Sequence, residues 1–241
     1  HIPAENAEII ANEILAGDYD IIALNEVFDE EARKVLVKKL KPVFPHFVSK
    51  LDDALLATEV LIDTSLLEEG TFEVDGDLLK IKDKGTGLTI FTFKIKAPVA
   101  GQQQGTFIIK VNGEDSGLML FSRFPFVPLP DKSFQWDPSE LDGTTKEVAF
   151  TRFSSFESDD GLSAKGAGMV RVQDPANNNV YNVIFTHMQA DYAPDEHYPH
   201  IRSAQFAEIQ RMIEVTLNLN GAQINQQRHH LFVMGDMNIQ G

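Results

Sequence analysis

Three short apolar runs in the sequence each lead directly to polar side chains. They are residues 21–24 before Glu26, residues 183–185 before His187, and residues 231–234 before Asp236 and Asn238. Runs of this length are typical of strands that are covered on both faces. Ligand-binding and catalytic groups of α/β proteins gather at the carboxyl ends of such strands, so we expect the four polar side chains to line one site. Burying such groups unpaired is costly, and a core would not select them for stability.

The segments around these runs predict an α/β (α+β) fold. Apolar residues recur with helical spacing in residues 3–16, 30–40 and 198–217. Further β-like runs occupy residues 43–48, 117–126, 148–153, 167–172 and 180–185. The last two runs are expected to pair as a hairpin, because a loop rich in turn-forming residues separates them.

Residues 51–112 have a different texture, which we interpret as a β-rich insertion within a single domain that spans residues 1–241. Its short β-like runs are residues 72–74, 78–82, 88–95 and 106–111. Turn-forming dipeptides such as Asp75-Gly76 and Asn112-Gly113 punctuate these runs. A role for the insertion in touching a membrane or gating the substrate is a hypothesis.

The charge of the chain limits its partners. The sequence has 21 Lys and Arg against 36 Asp and Glu, a formal net charge of −15 at pH 7. A phosphate backbone repels such a chain unless a local basic groove or bound cations reverse the sign, which argues against a general nucleic-acid coat protein. The absence of Cys from the sequence excludes disulfides, a thiolate nucleophile and Cys-based zinc sites. No run approaches the ~20 apolar residues of a membrane-spanning helix.

The four polar side chains together suggest a reaction. The Glu26 carboxylate is a hard oxygen ligand that suits Mg²⁺, an ion that retains several waters and takes few protein ligands. His187 can donate a hydrogen bond to a phosphoryl oxygen as charge builds up on it. Asp236 can orient or deprotonate a water, and Asn238 can hold phosphate or metal without adding negative charge. The combination predicts metal-assisted hydrolysis of a phosphate ester.

Several segments carry a resemblance to the endonuclease/exonuclease/phosphatase superfamily, over residues 4–47 and 115–241. Residues 19–29 resemble its metal-binding strand, although Asn25 stands where Gln is usual. Residues 117–125 resemble its Gly-apolar-Ser-Arg-Phe-Pro strand, and residues 234–238 match its Gly-Asp-x-Asn motif. Residues 186–190, Thr-His-Met-Gln-Ala, and the helix after them resemble the neutral sphingomyelinase branch.

The resemblance implies a four-layer α/β/β/α sandwich and a distribution of roles. Glu26 would be the ligand of Mg²⁺, with Mn²⁺ or another divalent ion as a substitute. His187, Asp236 and Asn238 would be catalytic, and His187 and Asn238 would contact the phosphate. The implied substrate is a phosphodiester, with a phospholipid head group of the sphingomyelin type at a membrane surface favoured over nucleic acid. We expect a monomer that is secreted or periplasmic.

Two other functions remain open at this point. A metal-dependent nuclease would require a local basic groove in this acidic chain. A degenerate member that binds a lipid or a partner without turnover is favoured by the Asn25 departure. The superfamily also usually begins with a strand carrying a metal-site Asn and ends with an Asp-His pair, and both are missing here. We therefore expect a fragment of a longer protein, inactive by itself.

Structural roles compete for some of these residues. Glu26 could cap the following helix, and Asp236 and Asn238 could form an Asx turn. Gln189 and Asp191 could extend the site or merely shape a loop. Two further alternatives concern other residues: zinc binding by His187, His197, His200 and His229-His230, whose spacing matches no common zinc signature, and phosphate contact or surface pairing by Arg123.

Overall fold

The computed structural model describes residues 2–51, 58–63, 72–75, 78–82, 89–95, 106–111, 115–136, 147–157, 163–191, 197–219 and 230–239. The chain divides into two compact units. The main unit contains His1–Asp53 and Glu114–Gly241, and the small β unit contains Ala54–Gly113. In the described part of the chain, no helix combines the length and hydrophobicity needed to cross a membrane.

The helices lie where the periodicity predicts them. They are α1 (Ala4–Ala16), α2 (Glu30–Leu40) and α3 (Pro199–Thr216). The start of α2 is fixed by Asp29, whose side chain accepts a hydrogen bond of 2.9 Å from the Ala32 amide. Acidic residues in its first turn and basic residues in its last turn complement the helix dipole. All three predicted helices are thus confirmed.

The strands of the chain are listed here in order: β1 (Ile21–Leu24), β2 (His46–Val48), β3 (Thr58–Asp63), β4 (Phe72–Asp75), β5 (Leu78–Lys82), β6 (Thr89–Ile95), β7 (Thr106–Val111), β8 (Met119–Ser122), β9 (Gln135–Trp136), β10 (Val148–Arg152), β11 (Gly166–Gln173), β12 (Val180–His187) and β13 (His230–Asp236). In the main unit, sheet I has the order β1-β8-β2 and sheet II has the order β13-β12-β11-β10-β9. The predicted hairpin of β11 and β12 is confirmed.

The small β unit is an antiparallel sheet of order β3-β7-β6-β5-β4. Four of its strands were predicted from their β-like runs, whereas β3 was missed. β3 pairs with β7, which lies far along the chain, so the contact that defines it leaves no local signal. The predicted turn residues Gly76, Asn112 and Gly113 lie outside the described residues.

The main unit has four layers. On the outer face of sheet I, α1 and α2 bury Ala7, Ala11, Leu36 and Leu40 against Ile22, Met119 and Phe121. The facing surfaces of the two sheets enclose Leu118, Leu120, Val170, Val183 and Phe185. On the outer face of sheet II, α3 packs Ile209 and Met212 against Met169 and Ile184. Alternate residues of one strand therefore enter different layers, as the period of a strand requires. The expected α/β/β/α sandwich is confirmed.

The strand directions in sheet II position the polar groups. β13 pairs with β12 in parallel, whereas β11 runs antiparallel to both of its neighbours, β10 and β12. The carboxyl ends of β12 and β13 therefore lie at the same edge of the sheet. β1 of sheet I contacts β13 across the sandwich, which brings the carboxyl end of a third strand to this edge.

Candidate active site

The predicted site residues converge at this edge. His187 is the register partner of Asp236 in the parallel pairing of β12 and β13. The His187 Nε2 atom lies 3.9 Å from Glu26 Oε1, which belongs to the segment after β1. Asn238 lies just beyond β13, and its side-chain amide donates a 2.9 Å hydrogen bond to the carbonyl of Met188. The structure therefore brings together all four side chains that the sequence singled out.

Glu26 and Asn238 both have left-handed backbone conformations, with φ of 60° and 50°. Asn tolerates this conformation better than most residues, whereas Glu is disfavoured in it. Asp236 accepts a 2.8 Å hydrogen bond from the Asn238 amide, which is the Asx turn anticipated from the sequence. The turn holds the Asp236 carboxylate and the Asn238 side chain in a fixed relation.

Lys165 is a site residue that the sequence analysis missed. Its side chain is buried, and its Nζ atom lies 3.3 Å from His187 Nε2. It also donates a 3.0 Å hydrogen bond to the Met188 carbonyl. Lys165 precedes β11, which runs antiparallel to β12, so the start of β11 lies at the edge where β12 ends. The sequence signal for it is a charged residue at the amino end of a strand that pairs antiparallel with β12.

Asn25 also takes part in the site. Its side-chain amide donates a 3.1 Å hydrogen bond to the backbone carbonyl of Thr186, the residue before His187. In the sequence, Asn25 is recognisable only as a departure from the superfamily pattern. Its contact links the segment that carries Glu26 to the strand that carries His187.

Gln189 and Asp191 connect the site to α3. Gln189 is fully buried, and its amide donates a 2.9 Å hydrogen bond to the Gln205 side chain. Asp191 accepts hydrogen bonds of 2.7 and 3.3 Å from the Arg202 guanidinium. Chiefly these bonds, with further ones from the Tyr198 amide and the His197 side chain, lower the pKa of the Asp191 carboxyl to about 2, against the effect of burial. Asp191 is therefore ionised at neutral pH.

An open cavity of about 220 Å³ adjoins the site. It is lined by Asp191, Asp236, Met237, Asn238 and Ile239. Oxygen atoms of two carboxylates and one amide thus border a space that solvent can enter.

The donor chemistry of the site fits Mg²⁺. The Glu26 side chain is 45% exposed, so a hydrated ion can reach its carboxylate, and the hard oxygen atoms of Asp236 and Asn238 lie at the same edge of the main unit. Among the described residues, no group of three or more His, Cys, Asp or Glu side chains is placed to hold a metal ion. Mg²⁺ does not require such a group, because it retains several waters and takes few protein ligands.

His197 and Arg123, for which zinc binding and phosphate contact were considered, each lie next to a carboxylate. His197 lies 3.4 Å from the Asp191 carboxylate, and His229 lies outside the described residues. Arg123 donates a 3.2 Å hydrogen bond to Asp18 and lies over the ring of Phe44. Arg123 therefore pairs with a surface acid, which is the second of the two roles considered for it.

The sequence profile of the Endonuclease/Exonuclease/phosphatase family matches residues 3–240. The chain belongs to this family, and the resemblance inferred from its motifs is confirmed. Family membership supports a hydrolase that acts on phosphoester bonds. No curated protein sequence matches the chain.

Solved structures share the fold. SmcL is 22% identical with a TM-score of 0.54, and the match covers 98% of this chain and 56% of SmcL. A beta toxin mutant from Staphylococcus aureus with bound magnesium ions is 19% identical (TM-score 0.55; 98% of this chain, 58% of the toxin). Sphingomyelinase C from Streptomyces griseocarneus is 18% identical (TM-score 0.52; 97% of this chain, 58% of the enzyme). The chain spans less than two thirds of the length of each of these proteins.

Proposed function

We propose that this protein is a Mg²⁺-dependent phosphodiesterase. The observation that carries the proposal is the 3.9 Å approach of His187 Nε2 to the Glu26 carboxylate at the edge where Asp236 and Asn238 also lie. A cation ligand and a hydrogen-bond donor so placed can act on the same phosphate group. Membership of the Endonuclease/Exonuclease/phosphatase family supports the same chemistry.

Each side chain has a distinct role in this proposal. Glu26 holds the cation, and a bound Mg²⁺ supplies positive charge against the charge that develops on the phosphoryl oxygens. His187 and the Lys165 ammonium donate hydrogen bonds to phosphoryl oxygens, and their separation of 3.3 Å allows both to serve one phosphate. Asp236 orients the attacking water through its carboxylate. Asn238 contacts the phosphate, and its left-handed backbone and its bond to Met188 fix its position.

We propose a phospholipid of the sphingomyelin type as the substrate, cleaved at a membrane surface. Residues 186–190 carry the sphingomyelinase-like motif, and the net charge of −15 disfavours DNA or RNA. The similar folds of SmcL and of Sphingomyelinase C support this direction. A secreted or periplasmic location and a monomeric state accord with such a substrate and belong to the same proposal.

A release assay on the intact protein tests the proposal. Sphingomyelin, phosphatidylcholine, phosphoinositides and DNA are compared as substrates, each with Mg²⁺ and with a chelator. We expect release from sphingomyelin that requires Mg²⁺, and a loss of about 10²–10⁴-fold in kcat in His187→Ala. The matched control is His200→Ala, an exposed histidine on α3 that should retain full activity.

Each contrary result has a meaning. Cleavage of DNA with little release from lipid would replace the substrate assignment with a nuclease. Binding of Mg²⁺ or lipid without turnover of any substrate would indicate a degenerate binding member. Full activity of His187→Ala, or activity in the chelator equal to that in Mg²⁺, would refute the proposed site.

A further inference from the structure

Glu26 is held in a conformation that its side chain does not favour. Its φ of 60° is in the left-handed region, where a residue with a Cβ atom is strained. Such a conformation persists only when neighbouring contacts determine it. The structure therefore has to contain groups that fix the backbone next to Glu26.

Val27, the next residue, is fixed through both of its backbone polar groups. Its amide donates a 2.9 Å hydrogen bond to the carbonyl of Gly117. Its carbonyl accepts a hydrogen bond from the Nη2 atom of Arg33. The carbonyl of Glu26 itself accepts a 3.0 Å hydrogen bond from the Ile2 amide. Because the Val27 side chain is fully buried as well, the peptide that follows Glu26 has little freedom to rotate.

Asp115 completes a closed circuit around Val27. It accepts hydrogen bonds of 2.7 and 2.5 Å from the two terminal nitrogens of Arg33. It also accepts a 2.7 Å hydrogen bond from the amide of Gly117, which has a left-handed φ of 63°. The circuit therefore runs from Val27 to Gly117, Asp115 and Arg33 and back to Val27. It joins three parts of the chain: α2, the segment just before β8 of sheet I, and the segment that carries Glu26.

The burial of this ion pair calls for an explanation beyond stability. Arg33 is 3% exposed and Asp115 is 7% exposed. Desolvation of two charges offsets much of their attraction, so a buried pair adds little net stability over apolar residues. Two apolar side chains could not hold the backbone in a fixed orientation in this way. The planar Arg33 guanidinium donates hydrogen bonds to both carboxylate oxygens of Asp115 and also to the Val27 carbonyl.

We propose that Arg33 and Asp115 are positioning residues that hold the Glu26 carboxylate in its cation-binding orientation. The proposal rests on the proposed function, because it assumes that Glu26 is the cation ligand. Without the two side chains, only backbone hydrogen bonds, from the Ile2 amide to the Glu26 carbonyl and from the Val27 amide to the Gly117 carbonyl, hold this peptide, and the left-handed conformation of Glu26 becomes less populated. The carboxylate then turns away from His187, and the cation affinity of the folded protein falls.

The test is a Mn²⁺ titration of the intact protein, followed by the electron paramagnetic resonance signal of free Mn²⁺. The main variant combines Arg33→Met with Asp115→Asn, which removes both charges of the buried pair. Lys50, whose Nζ atom lies 3.8 Å from Asp115, loses a carboxylate neighbour, but its side chain is 20% exposed and reaches solvent. Groups that orient a metal ligand typically contribute about 10–100-fold to metal affinity, and we expect a rise in Kd of this size. An acidic chain also binds Mn²⁺ weakly at other places. The Kd that is compared between the wild type and the double variant is therefore that of the part of Mn²⁺ binding that Glu26→Gln abolishes.

The control separates positioning from stability. Leu40→Ala deletes a fully buried side chain at the other end of α2, so it destabilises the same helix without touching the circuit. We expect its Mn²⁺ affinity to remain within about twofold of that of the wild type, since its folded state keeps the site. An affinity loss in Leu40→Ala as large as that of the double variant would overturn the proposal.

The remaining outcomes are distinguishable. If Glu26→Gln binds Mn²⁺ as the wild type does, the proposed function fails at its metal ligand. If Glu26→Gln loses binding and the double variant keeps wild-type affinity, the proposed function stands and the positioning role is wrong. If the double variant does not fold, Arg33→Lys decides: it keeps the charge but loses the planar fork, and unchanged affinity would overturn the inference.

Discussion

The side-chain amide of Asn25 donates a 3.1 Å hydrogen bond to the backbone carbonyl of Thr186. Asn25 follows β1 of sheet I, and Thr186 lies in β12 of sheet II, so the bond crosses the sandwich. Each partner stands one residue before a proposed site residue, Glu26 or His187. The distance between the Glu26 and His187 side chains therefore depends on the hydrogen bond of Asn25 to Thr186, in which neither of these side chains takes part.

We predict that Asn25→Ala impairs catalysis more than it impairs folding. The Thr186 carbonyl would lose its cross-sheet donor, at a cost of about 1–3 kcal/mol. We expect a fall in kcat of at least about tenfold, because a displacement of about 1 Å at a reacting group has effects of this order or larger. Steady-state kinetics and urea unfolding of the same samples measure the two effects.

Asn25→Gln is the matched control for this prediction. Gln is the residue usual in the superfamily at this position, and its longer side chain carries the same amide donor. We expect it to retain most of the activity that Asn25→Ala loses. Wild-type kcat in Asn25→Ala would show that the cross-sheet bond does not position the site.

Gly235 makes a close approach of β12 and β13 possible. It is the register partner of Thr186, and a Cβ atom added to it would lie 1.9 Å from the Thr186 carbonyl oxygen. Its φ of 124° is also unfavourable for any other residue. We predict that Gly235→Ala destabilises the protein by about 3 kcal/mol or more, because only backbone movement relieves the clash. In a domain of this size such a loss lowers Tm by roughly 6–12 °C, which calorimetry measures.

Gly17→Ala tests whether the clash with a backbone atom is what destabilises Gly235→Ala. Its added Cβ would also be too close to another group, at 2.1 Å from the ring of Tyr19. That ring is half exposed and can move, and Gly17 has an ordinary φ of −88°. We expect a Tm change of less than about 3 °C, within the usual range for a surface substitution. A loss in Gly17→Ala as large as that in Gly235→Ala would contradict the explanation.

Local patterns in the sequence were sufficient to predict much of the fold and part of the candidate site. The helix Glu30–Leu40 was predictable because its apolar spacing and charge order are local properties, and the Asp29 cap accounts for its start. Glu26, His187 and Asp236 were found because a buried strand shows itself as an apolar run. Their placement at one edge follows from strand direction.

What the sequence did not reveal depends on pairing between distant segments. Arg33 lies in a helix rich in Lys and Glu and looks like a solvent-facing charge until Asp115 is seen beside it. The contact of Asn25 with Thr186 requires knowledge of how the two sheets pack. β3 was missed because its pairing with β7 is set by register, which a local pattern does not contain. Roles for these residues were therefore beyond local reasoning.

Lys165 provides a further test of the site. We predict that Lys165→Met, which keeps an unbranched side chain of nearly the same length and removes its charge, lowers kcat by about 10²-fold through the loss of a charged donor to phosphate. The Met188 carbonyl also loses the hydrogen bond that Lys165 donates. Steady-state kinetics measure the loss, and circular dichroism verifies the fold. Lys34→Met, which removes an exposed lysine of α2, should leave kcat unchanged.

Full activity in Lys165→Met would leave His187 as the donor to phosphate. The proximity of the Lys165 ammonium to His187 Nε2 would then have only a structural meaning.

The lowered pKa of the Asp191 carboxyl predicts how the stability of the protein depends on pH. Its pKa of about 2 lies below the ordinary value of 3.8, chiefly because Arg202 donates hydrogen bonds to the carboxylate. Since the folded state binds this proton more weakly than the unfolded state does, the pair contributes stability fully at pH values above 3.8. The contribution falls as the pH drops through about 2. The free energy of unfolding of the wild type should therefore exceed that of Asp191→Asn at neutral pH, and the difference should shrink between pH 3.8 and about 2. Urea unfolding of both proteins from pH 7 downward measures it, and curves that stay parallel through that interval would contradict the role assigned to Arg202.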